Sequence, residues 1–290
     1  MFKRVMVAVV GLPLLIAILG WAPDWATMVL LAAMCSIGAW ELMHAAAGEK
    51  GRPLIPLTAA AGALVPVCVY GELSIENAAL TALPALPFTA LLGAVFVFAV
   101  FALAIHRYDG ERGIPFAAVT CAVFAGLVFP LMLSCLLRLR MDGYTGVGRL
   151  LVFVPLAISF GSDTFALFAG MLFGKHKLAP LVSPKKTIEG AVGGLVGGVI
   201  GMALMMFVGS WVLHDAFMGP REVLLFGILG SVVSQIGDLS FSVIKREFGV
   251  KDYGKLLPGH GGILDRFDSV TFVAPFVGLL LDLFWTGVFR

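Results

Sequence analysis

Charge is scarce in this chain: only 13% of its 290 residues are Asp, Glu, Lys or Arg, and the net charge is +2. Soluble domains are about a quarter charged, so an ordinary cytosolic globule is excluded, and so small a positive balance leaves no electrostatic footprint for nucleic acid. Cysteine is sparse too. Cys35, Cys68, Cys121 and Cys135 fall singly within apolar stretches, without the close pairings of a zinc site or a disulfide framework. The chain has no internal repeat and no low-complexity tail, which removes solenoid and linker readings. What it has is apolar surface: 60% of the residues are hydrophobic and the mean hydropathy is +1.00, too much for a solvated coil.

The bilayer is the natural solvent for such a chain. A helix crossing the hydrocarbon core needs about 20 apolar residues, and nine runs qualify, at roughly 5–21, 25–47, 54–71, 85–105, 115–137, 150–173, 188–213, 223–244 and 270–289. The expected fold is therefore an all-α polytopic membrane protein of about nine transmembrane helices. The first run follows Lys3 and Arg4 as a signal peptide would, but Trp21-Ala-Pro-Asp-Trp25 is a poor cleavage site and another span follows at once. It is expected to stay as a helix. With the N-terminus inside, fifteen of the 20 Lys and Arg fall in inner segments and five in outer ones, the awkward outer loop being 138–149. That asymmetry favours an N-inside chain in a bacterial cytoplasmic membrane, with the polar segments 174–187 and 245–269 on the cytoplasmic side. Residues 1–150 then form a scaffold of helices one to five, with lipid or dimer contacts, and 151–290 hold helices six to nine and the catalytic loops.

Several polar residues demand an explanation. Asp163 lies mid-run in Ser159-Phe-Gly-Ser-Asp-Thr164, where a lone carboxylate is costly; either it faces a polar interior or a partner, or it caps a broken helix. Asp238, Ser242 and Lys245 are spaced to line one helix face toward the cytosol. Downstream, Pro258, Gly259, Gly261 and Gly262 interrupt regular helix, and Asp265 and Asp268 stand three apart at the start of the last span. Bringing Asp238 near Asp265 and Asp268 would make an all-oxygen site for a hard cation, with magnesium the expected occupant; a capping and salt-bridge cluster is the alternative. The other cytoplasmic loop places Ser183, Lys185, Lys186 and Thr187 before the seventh span, where helix N-terminal amides favour phosphate. Gly190, Gly194 and Gly198, with Gly193, Gly197 and Gly201, form two rows suited to close helix packing. Glu41 and His44 have the spacing of half a di-iron motif without a second copy, and are read as polar residues near a helix end.

The segment Ser242-Val-Ile-Lys-Arg-Glu-Phe-Gly-Val-Lys-Asp-Tyr-Gly-Lys-Leu-Leu-Pro-Gly-His-Gly-Gly-Ile-Leu-Asp-Arg-Phe-Asp268 resembles the signature of the phosphatidate cytidylyltransferase, or CDP-diacylglycerol synthase, family. Every position of the pattern S-x-x-K-R-x4-K-D, then G, then L-P-x-H-G-G-x-x-D-R-x-D is filled. Gly237-Asp-Leu239 and Ser183-Pro-Lys-Lys-Thr-Ile-Glu-Gly190 also look like the family's, so the detailed resemblance covers roughly 159–270. One departure stands beside Asp163, where the family usually has a small residue and then a tyrosine but this chain has Phe165 and Leu167.

The resemblance implies that CTP and phosphatidate give CDP-diacylglycerol and pyrophosphate, with magnesium, in an often dimeric membrane enzyme. It implies a catalytic set of Asp238, Asp265, Lys245 and Arg266. Magnesium falls to Asp238 and Asp265, with Asp268 as a further ligand or a partner of the ligands, and a second cation has room in the scheme. Substrate contacts are expected from Ser183, Lys185, Lys186, Thr187, Ser242, Arg246, Lys251, Asp252, His260 and Asp268. Two other readings compete. A CTP-dependent lipid kinase would transfer the γ-phosphoryl group instead, and a secondary transporter would also carry intramembrane acids and glycine-rich helices. A transporter should show likeness between its halves, whereas here the polar residues crowd into one end of the chain. The D-G-x2-A-R-x8-G-x3-D-x3-D pattern of CDP-alcohol phosphotransferases is absent.

Overall fold

The computed structural model describes residues 2–77, 87–108, 110, 113–141, 147–215, 217–254, 256 and 261–285. The chain divides into two units, Met1–Gly148 with Phe248–Arg266, and Arg149–Glu247 with Phe267–Arg290. The segment 248–266 thus clusters with the N-terminal helices rather than with its neighbours in sequence. Seven helical stretches among the described residues are long and apolar enough to cross a bilayer: Asp24–Ala46, Gly48–Glu76, Phe88–His106, Phe116–Arg140, Gly148–Phe173, Ile188–Leu213 and Pro220–Glu247. The protein is an all-α, multi-pass membrane protein.

The first unit contains α1 (Phe2–Gly20), α2 (Asp24–Ala46), the single turn α3 (Gly48–Gly51), α4 (Ile55–Asn77), α5 (Phe88–His106), α6 (Phe116–Val123) and α7 (Phe129–Arg140). A π-helical turn, Phe124–Val128, joins α6 to α7 without breaking the span. Lipid tails are as apolar as leucine, so these helices are held by close packing rather than by exclusion from water. The packing centre is where α2 meets α4 and α7: Leu31, Cys35, Ala39 and Leu42 are buried with Val65, Val69, Phe129, Leu133 and Leu137. Arg140 is buried, and its Nε donates to Asp24 Oδ1 at 3.0 Å while another guanidinium nitrogen donates to the Ala22 carbonyl. Arg138 pairs with Glu72 at 3.6 Å. Two of the arginines that sat awkwardly in the loop 138–149 therefore have acidic partners within their own unit.

The second unit contains α8 (Gly148–Leu151, joined to the first unit at Gly148), α9 (Val154–Phe173), the strands β1 (Lys177–Ala179) and β2 (Ser183–Thr187), α10 (Ile188–Leu213), α11 (Pro220–Glu247) and α12 (Leu264–Trp285), whose first turn belongs to the first unit. Helix α9 runs unbroken through Ser159–Thr164, so the reading of Asp163 as the cap of a broken helix is corrected. The two glycine rows divide the work. Gly193, Gly197 and Gly201 abut Ala169, Gly161 and Ala157 of α9, whereas in the other row Gly190 abuts Ala166 of α9, Gly194 lies between Ser162 of α9 and Gln235 of α11, and Gly198 abuts Gly227 of α11. Between these helices Ser162 and Ser231 share a hydroxyl contact at 2.7 Å, Ser231 Oγ donates to the Gly194 carbonyl at 2.9 Å, and Gln235 Nε2 donates to the Ala191 carbonyl at 3.1 Å.

The antiparallel pair β1–β2 is an addition to the all-α expectation. Its segments are too short and too rich in lysine and proline to announce strands. They pair because Pro180 stands second in a tight turn that Val182 N closes onto the Ala179 carbonyl at 3.2 Å.

Candidate functional site

In the second unit the hairpin brings its lysines to α11. Thr187, at the end of β2, has extended backbone, and its Oγ1 accepts the Gly190 N–H at 3.1 Å, so it is the N-cap of α10. Glu189, in the first turn, accepts the N–H groups of Lys175 and His176 at 3.1 and 3.2 Å and the His176 ring nitrogen at 2.7 Å, tying the loop before β1 to the helix start. This helix end is thus capped and carries its own acid. Thr187, expected among the substrate contacts, is buried as a cap.

Lys186 Nζ binds Asp238 Oδ2 directly, and each side chain keeps only about a quarter of its surface exposed. Ser242, one helical turn on, donates to Asp238 Oδ1 at 3.4 Å. Arg246 Nε donates to the Val182 carbonyl at 3.0 Å, docking the hairpin tip on the C-terminal end of α11. Lys185 is exposed, Ser183 half-buried at the start of β2, and Lys245 half-buried on α11. Gly237 explains why Asp238 meets α12: a Cβ there would lie 3.1 Å from the Asp268 carbonyl and from Phe272, and the Phe241 and Phe272 rings pack edge to face below. Asp268 is buried at 8% exposure, its Oδ1 accepts the Ser269 N–H at 2.8 Å, and it lies within electrostatic reach of Asp238, Lys245 and Asp163.

The donor chemistry fits a hard cation. Carboxylate oxygens gather with like charge, and the ion pair at Asp238 shows that a positive centre is accepted there. Among the described residues no three His, Cys, Asp or Glu side chains form a ready metal cage.

The first unit holds the other half of the signature. Asp265 Oδ2 accepts the N–H groups of Tyr253 at 2.9 Å and Gly262 at 3.0 Å, and Gly261 takes the left-handed conformation, φ 88°, that this turn needs. Lys251, Asp252 and Arg266 are exposed beside it. His260 lies outside the described residues, as do Pro258 and Gly259. Glu41, read from the sequence as a polar residue near a helix end, is 1% exposed, and its carboxylate accepts the N–H groups of Ile263 at 3.2 Å and Leu264 at 3.1 Å. His44 has no such role and stacks on Trp40 with 4.9 Å between ring centroids.

A model of the cytidylyltransferase family matches residues 2–284 of this chain. Among curated proteins, the phosphatidate cytidylyltransferase of Staphylococcus haemolyticus is 50% identical over 120 residues, 41% of this chain and 44% of that protein. The Staphylococcus aureus protein of the same name is 48% identical over 121 residues, again 44% of its length. The Bacillus subtilis phosphatidate cytidylyltransferase is 34% identical over 191 residues, 66% of this chain and 68% of that one. The match to the staphylococcal proteins thus spans less than half of their length, and the match to the Bacillus protein about two thirds.

Proposed function

Since this chain belongs to the cytidylyltransferase family, we propose that it transfers the cytidylyl group of CTP to phosphatidate at the cytoplasmic face of a bacterial inner membrane. A phosphatidate oxygen attacks the α-phosphorus of CTP, a new P–O–P link forms, the bond from that phosphorus to the bridging oxygen breaks, and pyrophosphate leaves. The second ionisation of a phosphate monoester lies near pH 6, so the nucleophile is already anionic at neutral pH and no general base is required. The task left to the protein is to bring two polyanions together and stabilise the leaving charge.

One observation carries this reading. In the second unit Lys186 sits on Asp238 with Asp268 at hand, so an ammonium group and two carboxylates converge there. Asp238 and Asp268 would hold magnesium, and the resemblance of the signature gives Asp265, in the first turn of α12, a metal-ligand role as well. Magnesium, when bound, neutralises charge on the transferring and leaving phosphates. Lys186 then exchanges its carboxylate partner for a phosphate oxygen, while Arg246 keeps the hairpin docked and Lys185, Lys245, Lys251 and Arg266 share the remaining anionic oxygens.

The test is pyrophosphate release by detergent-purified protein. Release that needs both CTP and phosphatidate, stops on chelation and returns with magnesium is the expected result. Release without lipid, or release indifferent to chelation, contradicts the proposal.

A further inference from the structure

Glu41 is far from the signature in sequence and close to it in space. It lies near the C-terminal end of α2, is 1% exposed, and takes the N–H groups of Ile263 and Leu264 at the N-terminal turn of α12. A carboxylate is favoured at that place because free N–H groups and the helix dipole both present positive charge. The backbone packs close against it: a Cβ added at Gly254 would stand 2.6 Å from its carboxyl carbon, and one at Gly262 2.5 Å. Two glycines of the signature, eight residues apart, therefore close over one carboxylate from another helix. Asp265 completes the arrangement from the other side, taking the N–H groups of Tyr253 and Gly262 on its Oδ2. Four main-chain N–H groups between 253 and 264 are thus shared out between two acids, and the place of Asp265 depends on a backbone that Glu41 holds.

We propose that Glu41 is a positioning residue, which fastens the main chain at 262–264 and through it sets the carboxylate of Asp265 for the reaction. Glu41 touches backbone alone in these bonds, so its effect reaches the substrates through Asp265. The proposal rests on the reading of Asp265 as a working carboxylate in cytidylyl transfer. Partners that orient a metal-holding group are worth about 10–100-fold in activity, which sets the size of the expected effect.

The experiment compares wild type with Glu41→Gln, which keeps one acceptor, Glu41→Ala, which keeps none, and His44→Ala as a control on the exposed face of the same helix. Turnover per folded molecule is measured against phosphatidate concentration, and amide hydrogen exchange is followed by mass spectrometry. The proposal expects kcat to fall at least about tenfold in Glu41→Gln and further in Glu41→Ala, KM for phosphatidate to stay within about twofold, exchange at 253 and 262–264 to quicken, and His44→Ala to match wild type. Should Glu41→Ala fail to fold, Glu41→Gln decides alone. A loss below tenfold in folded Glu41→Gln, or unchanged exchange at 262–264, overturns the proposal. If wild type itself turns over no CTP with phosphatidate, the proposed function has failed, and exchange alone judges the clamp: faster exchange confined to 253 and 262–264 upholds it, unchanged exchange overturns it.

Discussion

Lys186 and Asp238 face each other as ammonium on carboxylate, with about a quarter of each side chain still in contact with solvent. A partly exposed pair contributes about 1 kcal/mol to stability, which leaves the proposed role in holding phosphate and a cation to be read from activity. Lys186→Met is accordingly expected to lower kcat by about 100-fold or more, in line with the loss of one preorganised charge-stabilising donor, while the melting temperature in detergent moves by no more than a few degrees. A steady-state assay beside a thermal melt checks both halves of that expectation. Lysine and aspartate were each visible in the sequence, because charge near an apolar span demands a reason. Their pairing was not, since 52 residues and a hairpin turn separate them. Glu41 was missed for a related cause: a single acid near a helix end reads as a solvated side chain, and its partners stand 222 and 223 residues away.

At the scale of elements, the helices were legible because twenty apolar residues in a row leave the chain few alternatives. The run expected at 188–213 coincides with α10, Ile188–Leu213. That at 223–244 is shorter than α11, Pro220–Glu247, because the helix continues past the apolar stretch to carry Lys245 and Arg246 toward the hairpin. The hairpin escaped notice because its pairing comes from a proline turn and main-chain hydrogen bonds, which hydropathy does not register. The glycine rows were read as packing surfaces, and the structure sets one row on α9 and the other between α9 and α11. Gly197→Val should therefore force α10 away from α9, where a Cβ would stand 2.5 Å from that of Phe165. Overpacking of this kind costs about 1–3 kcal/mol and should appear as a lower melting temperature with loss of folded yield. Gly278→Ala, with nothing within 4 Å of the added carbon, should be silent in the same assay. Equal behaviour of the two variants would contradict the packing account.

At the scale of the whole molecule, a cytoplasmic reaction has orientation as its premise. From the distribution of Lys and Arg, Lys185 is expected inside and Arg221 outside. Cysteines introduced as Lys185→Cys and Arg221→Cys should then react with an impermeant maleimide from opposite sides of a sealed vesicle, the first in inverted vesicles and the second in right-side-out ones. The native cysteines should stay quiet in both, since all four lie within membrane-spanning helical stretches and Cys35 is fully buried. Labelling of both positions from one side would overturn the topology and, with it, access of cytosolic CTP to the lysines.

The central claim is that the nucleotide moiety, rather than its terminal phosphate, ends on the lipid. Detergent-purified protein given phosphatidate, magnesium and α-labelled CTP, followed by separation of the lipid and aqueous phases, tests this most directly. The account predicts label in the lipid phase with one pyrophosphate released for each lipid labelled. Label remaining in water as CDP, with γ-label passing to an added lipid alcohol, would contradict it in favour of a kinase; folded protein that moves neither label would contradict it in favour of transport.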